Sequence, residues 1–151
     1  MKHRKIIYVL ADGSRARLVR RSPDTGAFVT VSEIDGKGRL SEVRAWAKSH
    51  AAGRSHESGS AARSAVGPED PYRQVKAEFM ATTAGAAQQL AADGAYEGVV
   101  LVATRRLLPV LRKEVGSHMV VLNELAKDLT KVPDHELPTW LSSLELTPAG
   151  A

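Results

Sequence analysis

Apolar residues fall in short runs over the first third of the chain and at helical spacing over the second half. Residues 4–11, Arg-Lys-Ile-Ile-Tyr-Val-Leu-Ala, form a β-branched and aromatic run, and the near-continuous apolar stretch predicts a central strand buried on both faces. Asp12-Gly13-Ser14 signals a tight turn, and residues 15–21 then read as a second strand. Ser22-Pro23-Asp24-Thr25-Gly26 is another turn, followed by the alternating run 27–34, Ala-Phe-Val-Thr-Val-Ser-Glu-Ile. Three antiparallel strands are expected to open the domain.

The periodicity then stops. From 36 to 71 no apolar pattern is sustained, apart from a short helical turn suggested by Leu40, Val43 and Ala47, so this stretch is expected to be a long loop. Order returns at residue 72, where Tyr72, Val75, Phe79, Ala86 and Leu90 share helical spacing and predict a helix over 72–93. Gly98–Ala103 is a short apolar strand, and Leu107, Leu108, Leu111 and Val115 line one helical face, with Pro109 confined to its first turn. His118–Leu125 is expected as the last strand and residues 134–144 as a terminal helix, before a frayed tail over 146–151. The predicted order is β-β-β-α-β-α-β-α: a single α/β domain over residues 1–151, with a mixed five-stranded sheet of ribonuclease-H-like architecture. A long loop is expected between its third strand and first long helix.

Composition narrows the function classes. A chain of 151 residues needs no staple to fold, and it contains no cysteine, which excludes disulfides and thiol catalysis. The N-terminal apolar run is too short for a signal peptide or a membrane span, so a cytoplasmic protein with no membrane contact is expected. Charge is unevenly spread. Residues 1–21 carry seven Lys and Arg against the single acid Asp12, and residues 36–73 carry seven against four acids, while the remainder is net acidic. Two basic zones on a small domain favour an anionic partner, of which nucleic acid is the commonest.

Candidate chemistry is sparse. A two-metal nuclease on such a sheet needs carboxylates converging from three elements. Asp12 lies at the end of the first strand and Glu78 on the first long helix, but Val99–Ala103 holds no acid. The five histidines show no metal-ligand spacing, and no Walker loop or dinucleotide fingerprint occurs, so no metal or cofactor is expected. Thr104-Arg105-Arg106 stands where a strand enters a helix and offers two cations beside helix amides, although a capping threonine followed by solvated arginines is the favoured reading. Within the 36–71 stretch, Arg54, Ser55, His56, Glu57 and Ser58 combine a cation, an imidazole, a carboxylate and hydroxyls on a flexible backbone. Arg54, Ser55, His56 and Ser58, with Arg63 and the strand residues Arg15 and Arg17, are candidates for phosphate contact; His56 and Glu57 are the weak candidates for catalysis.

The segments Val9–Leu18 (Val-Leu-Ala-Asp-Gly-Ser-Arg-Ala-Arg-Leu), Gly53–Ser58, Leu101–Ala103 and Glu124–Thr130 followed by Pro133 resemble the bacterial host attachment protein family, over about residues 5–145. That family is similar to the central domain of archaeal and eukaryotic peptide-chain release factors. The resemblance implies a ribonuclease-H-like fold and an RNA- or ribosome-associated role in translation. In release factors a Gly-Gly-Gln loop promotes peptidyl-tRNA hydrolysis; this chain has no Gly-Gly-Gln, although its 36–71 stretch occupies the corresponding place. RNA or ribosome contact is therefore the expected function. An ester or phosphodiester hydrolase and a protein-interaction module linked indirectly to host-cell attachment are the alternatives. Whether the chain is an enzyme, and its oligomeric state, are not legible in the sequence. In Lys127-Asp128-Leu129-Thr130, Leu129 is expected to pack while Asp128 and Thr130 tie down the turn before the last helix.

Overall fold

The computed structural model describes residues 4–54 and 71–146. Five strands, β1 (Ile6–Ala11), β2 (Arg15–Arg21), β3 (Phe28–Asp35), β4 (Gly98–Ala103) and β5 (Val121–Ala126), form one mixed sheet in the order β3-β2-β1-β4-β5. β1 pairs antiparallel with β2 and parallel with β4, and β4 pairs parallel with β5. Among the described residues the helices are α1 (Lys37–Arg54), α2 (Pro71–Ala92), α3 (Leu108–Gly116) and α4 (Pro138–Leu146), with a 3-10 turn at Asp134–Glu136.

β1 is buried at every position because both sheet faces are covered. Strand alternation sends Ile7, Val9 and Ala11 to one face, where they meet Phe79, Met80, Ala84 and Ala87 of α2 and Leu111 and Val115 of α3. Ile6, Tyr8 and Leu10 point to the other face, against Phe28, Leu129, Leu137 and Leu141. β4 divides in the same way, Val99, Leu101 and Ala103 against Val100 and Val102. The Tyr8 and Phe28 rings meet edge to face at 5.2 Å.

The largest difference from the sequence reading lies at residues 37–54, expected as loop apart from a short helical turn near Leu40–Ala47 and found as an 18-residue helix. Among its described side chains α1 buries only Leu40 and Val43, which pack on Val75 and the half-buried Tyr72 of α2. So narrow an apolar stripe marks only a turn or two of helix, and the apolar period is not sustained beyond it. Alanine, arginine and lysine propensity sustains the helix, and Asp35 Oδ1 accepts the Lys37 N–H at its start (2.8 Å). Arg39 ties it to α2 through Glu78 (3.7 Å). The expected loop is thus shortened at its front by a helix. Residues 55–70 lie outside the described residues, as does the tail from 147 onward.

Smaller shifts have local causes. β5 starts at Val121 rather than His118, because the His118 and Met119 N–H groups still donate to Val115 O at the end of α3. The terminal helix starts at Pro138, after the 3-10 turn. That turn carries Asp134, whose carboxylate accepts the N–H (3.0 Å) and hydroxyl (2.6 Å) of Thr30 on edge strand β3. A register shift between Leu18 and Val19 interrupts the β2–β3 ladder at the same place. A charged cap and an irregularity together blunt that edge against further pairing. Among the described residues, no helix is long and apolar enough to cross a membrane.

Candidate functional site

β1 and β4 run parallel in step, from Ile6 beside Gly98 to Ala11 beside Ala103. The residues that follow, Asp12-Gly13 and Thr104, therefore leave the sheet side by side. α2 leads back toward β4 and α3 leaves it, so both helices start at this same end. In open α/β sheets the carboxyl ends of parallel strands are where ligands bind.

The turn after β1 is held by Asp12. Its Oδ1 accepts the N–H groups of Ser14 (2.8 Å) and Arg15 (2.7 Å), and its own N–H donates to Arg15 O (2.8 Å). Across the sheet end, Thr130 brings its hydroxyl 2.6 Å from Asp128 Oδ1 and 3.2 Å from Asp12 Oδ2. The Thr130 N–H donates to Asp128 (3.0 Å), Leu129 is fully buried, and Lys127 lies over the Trp140 ring at 4.0 Å. The Lys127–Thr130 segment is thus the tie before the last helix, as its sequence suggests. Lys127 N–H also donates to Ala103 O (2.9 Å), so three of the segments that carry the family resemblance converge here.

On the α2–α3 side of this end lies a cleft of about 580 Å³. Arg73 and Lys76 enter it from the first turns of α2, Arg106 from the approach to α3, and Thr104 and Gly13 from the strand ends. Tyr72, Ala77, Leu107 and Val110 complete its wall. Among the described residues no carboxylate lines it, and Arg73, Lys76 and Arg106 have no ion-pair partner. Neither helix has an acid in its first turn, so the positive ends of the helix dipoles add to the three cations. Gly13 permits the closeness of this packing: a Cβ there would sit 3.2 Å from Lys76 Cε.

The residues singled out from sequence are divided by the structure. Arg106 and Thr104 line the cleft, whereas Arg105 is exposed beside it and lines no part of it. Arg17 is 8% exposed; its guanidinium donates to Val132 O, and its Nε has no partner. Burial pushes the Arg17 guanidinium below its ordinary value, and the nearby Asp134 and Glu33 charges push it back up. It anchors the segment before α4, away from the cleft. Arg15, half-buried, stands opposite Asp35 in the β2–β3 ladder. Arg54 ends α1, and Ser55, His56, Glu57, Ser58 and Arg63 lie outside the described residues.

Sequence reasoning missed Tyr72, Arg73 and Lys76 as site residues. Their signal was an aromatic and two cations within the first turns of a helix, where anions are favoured. The nuclease carboxylates are otherwise engaged: Asp12 in its turn and Glu78 with Arg39. Among the described residues no group of three His, Cys, Asp or Glu side chains is placed to hold a metal ion.

No curated protein matches the chain. Residues 7–141 match the family described as protein required for attachment to host cells. That span takes in nearly the whole sheet and every residue of the cleft, and the chain belongs to the host attachment family.

Proposed function

We propose that this host attachment protein is an RNA-associated module of release-factor-like type that holds RNA phosphates in the basic cleft. The cleft carries the reading: three cations converge without a described counter-charge at the mouth of two helix N-termini. The exposed side of α1 adds Lys37, Arg39, Arg44 and Lys48. Residues 55–70, with Arg63, join α1 to α2 in sequence, and α2 lines the cleft with its first turns. The element order and the strand order β3-β2-β1-β4-β5 support the ribonuclease-H-like, release-factor-related reading of the fold. Without Gly-Gly-Gln, contact rather than peptidyl-tRNA hydrolysis is the proposed activity. An RNA partner implies a cytoplasmic protein, whose effect on attachment would act through translation. The hydrolase alternative depends on His56 and Glu57 and stands on sequence alone.

The test is ribosome co-sedimentation, together with salt-dependent binding to single-stranded RNA, for the wild type and an Arg73→Ala/Lys76→Ala/Arg106→Ala variant. Binding that weakens with salt and is lost in the variant supports the reading. No binding at low salt, or equal binding by both proteins, overturns it.

A further inference from the structure

The cleft is more than a patch of charge. A groove that only tracks a phosphate backbone needs cations and little else, yet here Ala77 of α2 and Leu107 and Val110 on the α3 side add apolar lining. Its volume, about 580 Å³, falls within the range of small-molecule sites. Tyr72 lines the cleft while also packing against Leu40, Val43 and Val75, so its ring is held before any ligand arrives. A fixed aromatic surface loses little freedom when a base stacks on it.

We infer that the cleft binds a single nucleoside phosphate unit, with its phosphate among Arg73, Lys76 and Arg106 and its base between Tyr72 and the apolar lining. The cations enter where α2 and α3 begin, at the positive ends of both helix dipoles, and Thr104 adds a hydroxyl there. Tyr72 adjoins Arg73, Ala77 adjoins Lys76 and Leu107 adjoins Arg106, so aromatic, apolar and cationic groups border one cleft, as the parts of one nucleotide require. The unit is either a free nucleotide or one unstacked residue of an RNA strand. The inference shares the cleft with the RNA reading, but its test is separate.

The full chain is titrated with adenosine 5′-monophosphate, adenosine and inorganic phosphate, and followed by amide NMR. The expected result is that the monophosphate shifts the amides of Gly13, Tyr72, Lys76 and Thr104 and binds roughly tenfold more tightly than either fragment. Tyr72→Leu, which keeps apolar volume against α1, lowers that affinity roughly tenfold, while Tyr72→Phe retains it. Phosphate binding as tightly as the monophosphate, or a Tyr72→Leu variant with unchanged affinity, overturns the inference. So does a monophosphate that leaves these amides unmoved. A short single-stranded RNA distinguishes the sources: it displaces the monophosphate if the unit belongs to a strand and fails to do so if the ligand is a free nucleotide. RNA binding without monophosphate binding removes this inference and leaves the RNA reading standing; monophosphate binding without RNA binding does the reverse.

Discussion

Thr130 and Asp12, 118 positions apart in the chain, meet at the carboxyl end of the sheet, with Thr130 Oγ1 3.2 Å from Asp12 Oδ2. The hydroxyl is also 2.6 Å from Asp128 Oδ1, and its one hydrogen serves one carboxylate at a time. Asp12 meanwhile holds the β1–β2 turn through two backbone N–H groups. The contact therefore joins the turn after β1 to the segment after β5, across the end of β4. The same turn supplies Gly13 to the cleft, so these polar bonds set one wall of the candidate site.

Asp12→Ala removes the acceptor for Ser14 and Arg15 and should cost about 1–2 kcal/mol of stability, as for other side chains that cap backbone N–H groups. Thr130→Val, which also loses a buried hydroxyl, should cost roughly 1 kcal/mol. Urea unfolding midpoints measure both, and midpoints identical to wild type would show that the tie is dispensable.

Single replacements of Arg73, Lys76 or Arg106 by alanine should each weaken RNA binding and reduce the slope of log affinity against log salt by about one. Arg105→Ala, outside the cleft, should have the smaller effect. Binding isotherms at several salt concentrations read the slope directly. A flat response across the three cleft variants would remove the cleft from RNA contact.

Gly13→Ala should leave the fold intact yet disturb ligand binding. Its Cβ would press on Lys76 Cε at 3.2 Å, and the lysine, being exposed, yields by moving its ammonium group. The expected outcome is an unchanged melting temperature with weaker RNA affinity. Loss of stability instead would mean that the turn, not the lysine, gives way.

Two other glycines should respond in opposite directions. A Cβ at Gly36 would lie 2.6 Å from Phe79 Cδ1, and Phe79 is buried, so Gly36→Ala should destabilise by about 1–3 kcal/mol through forced repacking. Gly85 is exposed within α2 and its Cβ would meet nothing within 4 Å, so Gly85→Ala should stabilise by about 0.5–1 kcal/mol. Thermal unfolding of the pair checks both signs.

Arg17 separates structure from binding. Arg17→Ala leaves Val132 O without its side-chain donor and should cost about 1–3 kcal/mol. RNA affinity, measured well below the melting temperature, should stay near wild type. A large loss of affinity in a folded Arg17→Ala protein would place RNA contact on the opposite side of the sheet.

The hydrophobic pattern alone specified the strands, the long helix α2 and α3, because each buries a face wide enough to impose a period of two or of 3.6 on its residues. Ile6–Ala11 and Gly98–Ala103 were legible for a different reason: all six positions of each are buried, so their runs are apolar without alternation. α1 was legible only as a short turn at Leu40–Ala47, since Leu40 and Val43 are its only described buried positions. Arg106 and Thr104 were visible as a strand-to-helix junction, but Arg17 carried the same charge and proved to be an internal anchor. Charge is a property of the residue, whereas exposure and company depend on what the rest of the chain lays against it. The tertiary structure alone decided that Gly13, Arg73, Lys76 and Arg106, spread over more than ninety positions, border one cleft. That convergence follows from two parallel strands ending in step while two helices begin beside them, a relation between distant segments that no local pattern encodes.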